Sequence, residues 1–314
     1  MSGSDDSYLL PNGTLRNKLG ITKQHLLETA EADRVAVREK LLLQRLPGPP
    51  FTFETLKSIH RELFQDVYDW AGQPRTTQTG KREFEEPGSP IQRFAAPETI
   101  APRLDAVFAR VAADGNLAGG TRDAFVAGAA DLLASLNNVH FAREGNGRAQ
   151  RLLITAVAAH AGHPVAFDIV TRERMVAVSI EAHRGDTAGM RRMFDEITDP
   201  RQVGAMRKAI GFLDAARTVK WNDIYVSTTR AGEAYAGVLV SCAGPDFMMR
   251  TERDGATSIL VGDARDLPPG AQSRAALAFT ATHFGAAPGS EAQADPPAVP
   301  GPPKPPGQDP GPGM

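Results

Sequence analysis

One stretch of this chain combines residue types that can do chemistry on a phosphate: His140-Phe-Ala-Arg-Glu-Gly-Asn-Gly-Arg-Ala-Gln-Arg151. Gly145 and Gly147 flank Asn146, so the backbone can turn tightly there and expose its amides. A helix begins at this point, and its first N–H groups have no partner within the helix. Such a turn at a helix N-terminus is a cradle for anions. Arg148 and Arg151 stand three apart, share one helical face and can both reach phosphate oxygens. Glu144 is a carboxylate beside that cradle, a suitable ligand for Mg²⁺, which favours a carboxylate together with phosphate oxygens. His140 ends the preceding helix and can be neutral at pH 7, as a general base must be. Together these residues describe a triphosphate held by amides, two arginines and a metal ion, with an imidazole facing the reacting phosphorus. That arrangement suits attack by a hydroxyl on a nucleotide phosphate.

The elements that must position this stretch are mostly helical. Apolar residues recur at helical spacing over Ile21 to Leu43, Phe53 to Trp70, Ile100 to Ala113, Asp123 to Asn138, Gly147 to Ala161, Thr171 to His183 and Thr187 to Asp195. Pro47, Pro49 and Pro50 end the first of these, and Gly162 with Pro164 closes the fifth. Gly72 to Pro97, rich in Gly, Pro and charge, reads as an exposed loop or short hairpin. His60 reads as a core-facing helix residue rather than a catalytic one, and His160 and His163 flank a helix end without metal-ligand spacing. Beyond about residue 219 the character changes. Ile224 to Ser227, Val238 to Ser241 and Ser258 to Val261 are short β-branched runs bounded by Gly, Pro and Asp. The expected fold is therefore mainly α: a helical bundle over 1–219, then a small β-rich module over 220–284. A partly closed, OB-like barrel is one form that module can take. The Pro/Gly-rich tail, 285–314, is expected to be disordered.

The catalytic stretch resembles the Fic signature His-Pro-Phe-x-(Asp/Glu)-Gly-Asn-Gly-Arg-x-x-Arg, matching at His140, Glu144, Gly145, Asn146, Gly147, Arg148 and Arg151. The similarity runs from about Tyr8 to about Asp199. It includes Ile59-His60-Arg61-Glu62-Leu63-Phe64, Tyr68-Asp69-Trp70-Ala71-Gly72 and Arg93-Phe94-Ala95-Ala96-Pro97-Glu98. The resemblance implies a Fic-type bundle with a β-hairpin flap and protein adenylyltransferase activity with ATP and Mg²⁺. His140 would deprotonate a Tyr, Thr or Ser hydroxyl of a target protein, which would attack the α-phosphorus of ATP. Glu144 would hold Mg²⁺. The amides around Gly145 to Gly147 and the Asn146 side chain would bind developing charge, and Arg148 and Arg151 the outer phosphates. Thr79, Gly80, Lys81, Arg82 and Phe94 would belong to a flap that docks an extended target segment by strand addition, with Glu83, Glu85, Glu86 and Arg93 adding charge. Other members of the family transfer phosphate, other nucleotides or phosphocholine, and a degenerate nucleotide- or partner-binding module is a further alternative.

The family's Pro-Phe after the histidine is replaced here by Phe141-Ala142. The family phenylalanine anchors the loop in the core, so either Phe141 anchors it from one residue earlier or the loop geometry departs from the family's. Family members are often restrained by a helix bearing Ser/Thr-x-x-x-Glu-Gly/Asn, whose glutamate pairs with the second arginine, here Arg151. The only Glu followed by Gly or Asn in this chain is Glu144 itself, and Thr229 to Glu233 has the spacing but is followed by Ala234. The resemblance thus implies restraint by a separate small antitoxin. It also extends to bacterial Fic toxins and type IV secretion effectors.

Composition narrows the setting. A net charge of -2 over 314 residues offers no basic field for nucleic acid or an anionic membrane. The single cysteine, Cys242, forms no internal disulfide, which fits a reducing compartment. No apolar run reaches the roughly 18–20 residues of a membrane span. The polar, acidic start, Met1 to Tyr8, lacks the order of a secretory signal. The expected location is the bacterial cytoplasm, or a target or host cell reached by a route independent of a signal peptide.

Overall fold

A computed structural model describes residues 7–82, 91–216 and 220–285. The expected tail and the acidic flap residues Glu83, Glu85 and Glu86 lie outside the described residues. Eight α-helices occur among them: α1 Gln24–Leu43, α2 Phe53–Phe64, α3 Ile100–Ala113, α4 Arg122–Val139, α5 Asn146–Ala161, α6 Arg172–His183, α7 Ala188–Thr198 and α8 Pro200–Ala216. Three of them start at a threonine cap. Thr52 caps α2 reciprocally with Thr55, while the hydroxyls of Thr121 and Thr171 accept from the first turns of α4 and α6. At the centre, α4 buries Phe125, Ala129, Leu132, Leu133 and Leu136, and α5 buries Leu152, Leu153, Ile154 and Val157. Two helices buried this fully form a rigid base for the loop between them.

Expected boundaries shift at α1, at α2 and at α7, which runs to Thr198 rather than Asp195. α1 starts at Gln24 rather than Ile21, because the Asn17 carboxamide bonds the backbone of Leu19 and Ile21 and offers that segment an alternative to helix. Only Leu27, Glu31, Val35 and Leu42 of α1 are buried, and its apolar Leu26, Val37, Leu41 and Leu43 are exposed. α2 stops at Phe64, and Val67 and Tyr68 are buried from the turns that follow it. The expected hairpin is present: β1 Gly80–Arg82 pairs antiparallel with β2 Ile91–Arg93.

The C-terminal region forms a five-stranded sheet of β3 Tyr225–Thr228, β4 Ala234–Ala243, β5 Asp246–Arg253, β6 Ala256–Asp263 and β7 Ala276–Thr280, in the order β3-β6-β5-β4-β7. β3 and β6 are parallel and the other pairs antiparallel. Backbone bonds from Ala231 to Phe284 and from Gly232 to Ala281 prolong the pairing of β4 with β7 beyond the ends of the two strands. β5 and β7 escaped the sequence reading. β5 lacks β-branched runs, and its first half is buried on both faces, so no alternation shows.

The change of secondary structure near residue 220 is not a break in packing. Val226, Met248, Ile259 and Val261 of the sheet belong to the same apolar core as the helices. The opposite face packs Leu239, Phe247, Met249 and Leu260 into a second, smaller core. Charge reinforces the joint. Arg174 of α6, fully buried, pairs with Glu196 of α7 at 2.5 Å and donates to the Val226 carbonyl at 3.2 Å. Arg192 reaches Glu196, Glu233, the Thr228 carbonyl and the Tyr235 hydroxyl. Removing the acid would leave Arg174 buried without its counter-charge. Glu196→Ala should therefore lower unfolding free energy by about 3–5 kcal/mol, measured as a fall in the urea midpoint, with a smaller loss in Glu196→Gln.

Candidate active site

The loop between α4 and α5 is where the expected chemistry converges. α4 ends as His140 adopts the left-handed conformation (φ 51°, ψ 67°), with its amide donating to the Leu136 carbonyl. The chain then dives inward. Phe141 is buried edge-on against Phe53, with ring centroids 5.6 Å apart, and packs beside His60 at 5.3 Å. The anchoring question raised by the sequence is thus answered: Phe141 fills the core from one residue earlier, and Ala142, also buried, leaves room for it.

The Asn146 side chain departs from expectation. Its Oδ1 accepts from the Ala142 amide at 2.9 Å and its Nδ2 donates to the Ala142 carbonyl at 2.7 Å. A buried residue needs partners for both its N–H and its C=O, and this carboxamide supplies them. The side chain is therefore a staple of the loop, while Asn146 also lines the cleft. His60 does comparable work from α2. Its Nδ1 accepts from the Gly72 amide at 2.9 Å, so Nε2 carries the proton and donates to the Glu144 carbonyl at 2.8 Å. Burial, helped by the nearby Arg148 charge, pushes its pKa down to about 4 against the opposing effect of the Glu144 bond.

Gly145 makes the final turn at φ +83°, and a Cβ there would lie 2.3 Å from the Phe64 ring. No side chain caps α5, so the amides of its first turn, beginning with Asn146 and Gly147, face outward beside Glu144. The half-exposed Glu144 carboxylate accepts from the Gly145 amide at 3.0 Å. Among the described residues no group of three or more His, Cys, Asp or Glu could hold a metal ion. One carboxylate at an anion cradle nevertheless fits a cation that takes its other ligands from phosphate and water.

The two arginines, expected to act together, separate. Arg151 lines the cleft, and burial lowers its pKa, partly offset by the charge of Glu39. No hydrogen bond or ion pair to a described residue engages its guanidinium. Arg148 turns instead to α1, where it pairs with Glu31 and stacks over Phe64 at 4.7 Å, and Glu31 also accepts from the Tyr68 hydroxyl. Arg148 also lies 3.9 Å from the carboxylate of Glu144, which lines the cleft. Nothing in the local sequence announces Glu31, which lies 117 residues away.

The cleft holds about 470 Å³. His140, Glu144, Gly145, Gly147 and Arg151 line one side, Met175, Val176 and Ile180 of α6 another, and Thr79, Gly80 and Phe94 of the flap a third. Phe94, expected to dock a target, stacks face to face on the His140 ring, with centroids 3.9 Å apart and planes 6° apart. Lys81 and Arg82 continue β1, opposite Gln92 and Ile91. Glu233, the nearest approach to an internal restraining glutamate, is held by Arg192 and Tyr235 in the sheet region.

Two outcomes follow from this geometry. Gly145→Ala combines a left-handed backbone with overlap on Phe64 and should cost about 2–4 kcal/mol, measured by denaturant unfolding. His60 binds its proton less readily in the folded chain than in the unfolded one. Its contribution to stability is therefore intact above about pH 6.5 and is lost as pH falls toward about 4. The loss is on the order of 3 kcal/mol. Unfolding measured across this range should show a shallower pH slope in His60→Gln than in the wild type.

The Fic/DOC family model matches residues 50–158. A protein adenylyltransferase of Bartonella henselae is 32% identical over 278 residues, covering 85% of this chain and 50% of that protein. A probable protein adenylyltransferase, y4lH, of Sinorhizobium fredii is 34% identical over 175 residues, covering 55% of this chain and 85% of that one. The structure of the type IV secretion system effector protein BepA aligns over 88% of this chain and 96% of its own, with TM-score 0.77 and 28% identity. The chain spans about half the length, or less, of the first curated relatives it matches. No helix among the described residues is long and apolar enough to cross a membrane. With the helical bundle, the flap and the signature loop in place, this chain belongs to the Fic/DOC family.

Proposed function

We propose that this chain is a protein adenylyltransferase that moves AMP from ATP to a hydroxyl of a target protein. The observation that carries this reading is Arg151, a half-buried cation without an ion-pair partner among the described residues, facing a cleft that also holds an uncapped helix N-terminus and His140. Desolvating a cation without a partner is costly, and an anionic ligand removes the cost. The cleft volume is within the range of small-molecule sites, and relatives of this chain are named protein adenylyltransferases.

On this reading the outer phosphates lie against Arg151 and the amides that begin α5. His140 takes the proton of the target Tyr, Thr or Ser hydroxyl as its oxygen bonds the α-phosphorus, and the bond to pyrophosphate breaks. Glu144 is the residue that would hold Mg²⁺, whose charge offsets that of the phosphates when it is bound. Arg148 acts through Glu31 on the shape of the loop. The hairpin β1–β2 docks an extended target segment through backbone bonds. Because no described carboxylate pairs with Arg151, restraint by a glutamate from a separate antitoxin fits the same cleft. The likeness to BepA supports an effector or toxin role, acting in the bacterial cytoplasm or after delivery into another cell.

The test is incubation of the purified chain with α-labelled ATP, Mg²⁺ and bacterial lysate, followed by intact-mass analysis of the labelled proteins. A gain of one AMP is expected, and a gain of one phosphate overturns the reading. His140→Ala should lower transfer about 10²–10⁴-fold. Arg151→Ala should raise the KM for ATP about 10-fold or more, the loss of a charged hydrogen bond.

A further inference from the structure

We propose that Arg75 and Phe94, at the two roots of the flap, hold His140 in its working pose and so couple the position of the flap to the orientation of the base. The inference rests on the adenylyl-transfer reading above. Arg75 is 1% exposed, and every hydrogen bond of its guanidinium goes to a main-chain carbonyl. Nε donates to His140 at 2.8 Å, Nη1 to Thr77 at 2.9 Å, and Nη2 to Ala95 and to Val139 at 3.2 Å. Val139 and His140 end α4, where carbonyls lack partners within the helix and carry its partial negative charge. Thr77 and Ala95 are the points at which the chain enters and leaves the flap. One planar cation therefore ties the end of α4 to both flap roots. Two backbone bonds run alongside, Arg75 N–H to Phe141 O at 2.8 Å and Ala95 N–H to Asn138 O at 3.3 Å.

His140 needs this support. A left-handed residue with a Cβ is strained and persists only where its surroundings fix it. Arg75 fixes the backbone, and the parallel stack of Phe94 fixes the plane of the ring while leaving its nitrogens at the edge. Phe94 directly follows β2, and its carbonyl accepts from the Gln78 side chain at 2.9 Å across the flap root. A target segment that adds to the hairpin thus moves, or steadies, the residue lying on the base. A lysine cannot replace Arg75, since an ammonium on a flexible stem lacks the fixed fork that reaches carbonyls on two sides at once.

The test uses the full chain and the variants Phe94→Leu, Phe94→Tyr and Arg75→Lys. Two readouts are taken: AMP transfer from α-labelled ATP to lysate proteins over a range of ATP concentrations, and the His140 ring resonances of histidine-labelled protein, assigned with His140→Gln. Phe94→Leu should lower the saturating rate about 10- to 100-fold, as a small displacement of a reacting group does. It should leave the KM for ATP within about twofold, because the phosphate cradle sits on α5. The same variant should lose the upfield ring-current shift of His140. Phe94→Tyr, which keeps the ring, should restore both rate and shift. Arg75→Lys should move the His140 resonances with the flap sequence intact. The inference is overturned if Phe94→Leu keeps the wild-type rate and resonances, or if Phe94→Tyr falls as far as Phe94→Leu. If the wild type transfers no AMP, the adenylyl-transfer reading fails, and the resonances alone decide whether the clamp exists.

Discussion

A buried loop has to place its backbone polar groups on side chains, because no helix or sheet ladder is there to take them. The loop from His140 to Gly145 meets this constraint with three residues from three places in the chain. Arg75 takes the carbonyl of His140, Asn146 brackets the peptide of Ala142, and His60 takes the carbonyl of Glu144. Each peptide so held fixes the one beside it. The outcome is an imidazole at one end of the loop and an uncapped helix at the other, set in a fixed relation across a cleft. Phe141 closes the arrangement from beneath, and Phe64 leaves no room for any side chain at Gly145. Rigidity of this kind suits electrostatic stabilisation, which gains most when donors need no rearrangement as charge develops.

The same constraint explains why the two arginines of the motif diverge. Arg148 and Arg151 differ by less than a turn, yet α1 forms an ion pair only with the first, and its Glu39 acts on the second through charge alone. Glu31 is one of the few inward positions of α1, and it joins Arg148 and Tyr68 in one partly buried polar group. A guanidinium satisfied by a carboxylate and an aromatic face is a structural element. Arg151 is left desolvated and without such a partner among the described residues, which is the condition of a ligand site rather than of a strut.

The sequence made the local part of this legible and left the long-range part hidden. The glycines, the helix start at Asn146, the end of α4 and the threonine caps follow from neighbours within a few residues, so their pattern survives in one dimension. The identity of the group facing each side chain does not. That Asn146 brackets Ala142 and that Arg148 meets Glu31 of α1 are contacts no local pattern announces. Phe94 was legible as part of the flap, but its stack on His140 depends on the hairpin returning to the end of α4. In the C-terminal region, β3, β4 and β6 showed through their β-branched runs. β5, with Phe247, Met248 and Met249 buried toward two different cores, carried no period to read.

The joint between helices and sheet bears on the cleft as well as on stability. α6 supplies Met175, Val176 and Ile180 to the cleft and Arg174 to the buried pair with Glu196, so one helix is held from behind by the charges that bind the sheet. Arg253 of β5 adds a second tie to α6 through Glu181 at 2.5 Å, and its guanidinium lies over the ring of Tyr225, which also faces Arg174. A helix tied in this way cannot drift from α5 without breaking the buried pair of Arg174 and Glu196, and such a pair is costly to open. The sheet is therefore a brace for the wall of the cleft that faces Arg151. Its apolar continuity with the bundle follows from the same need: a wall that must stay in place has to be packed from the side away from the ligand.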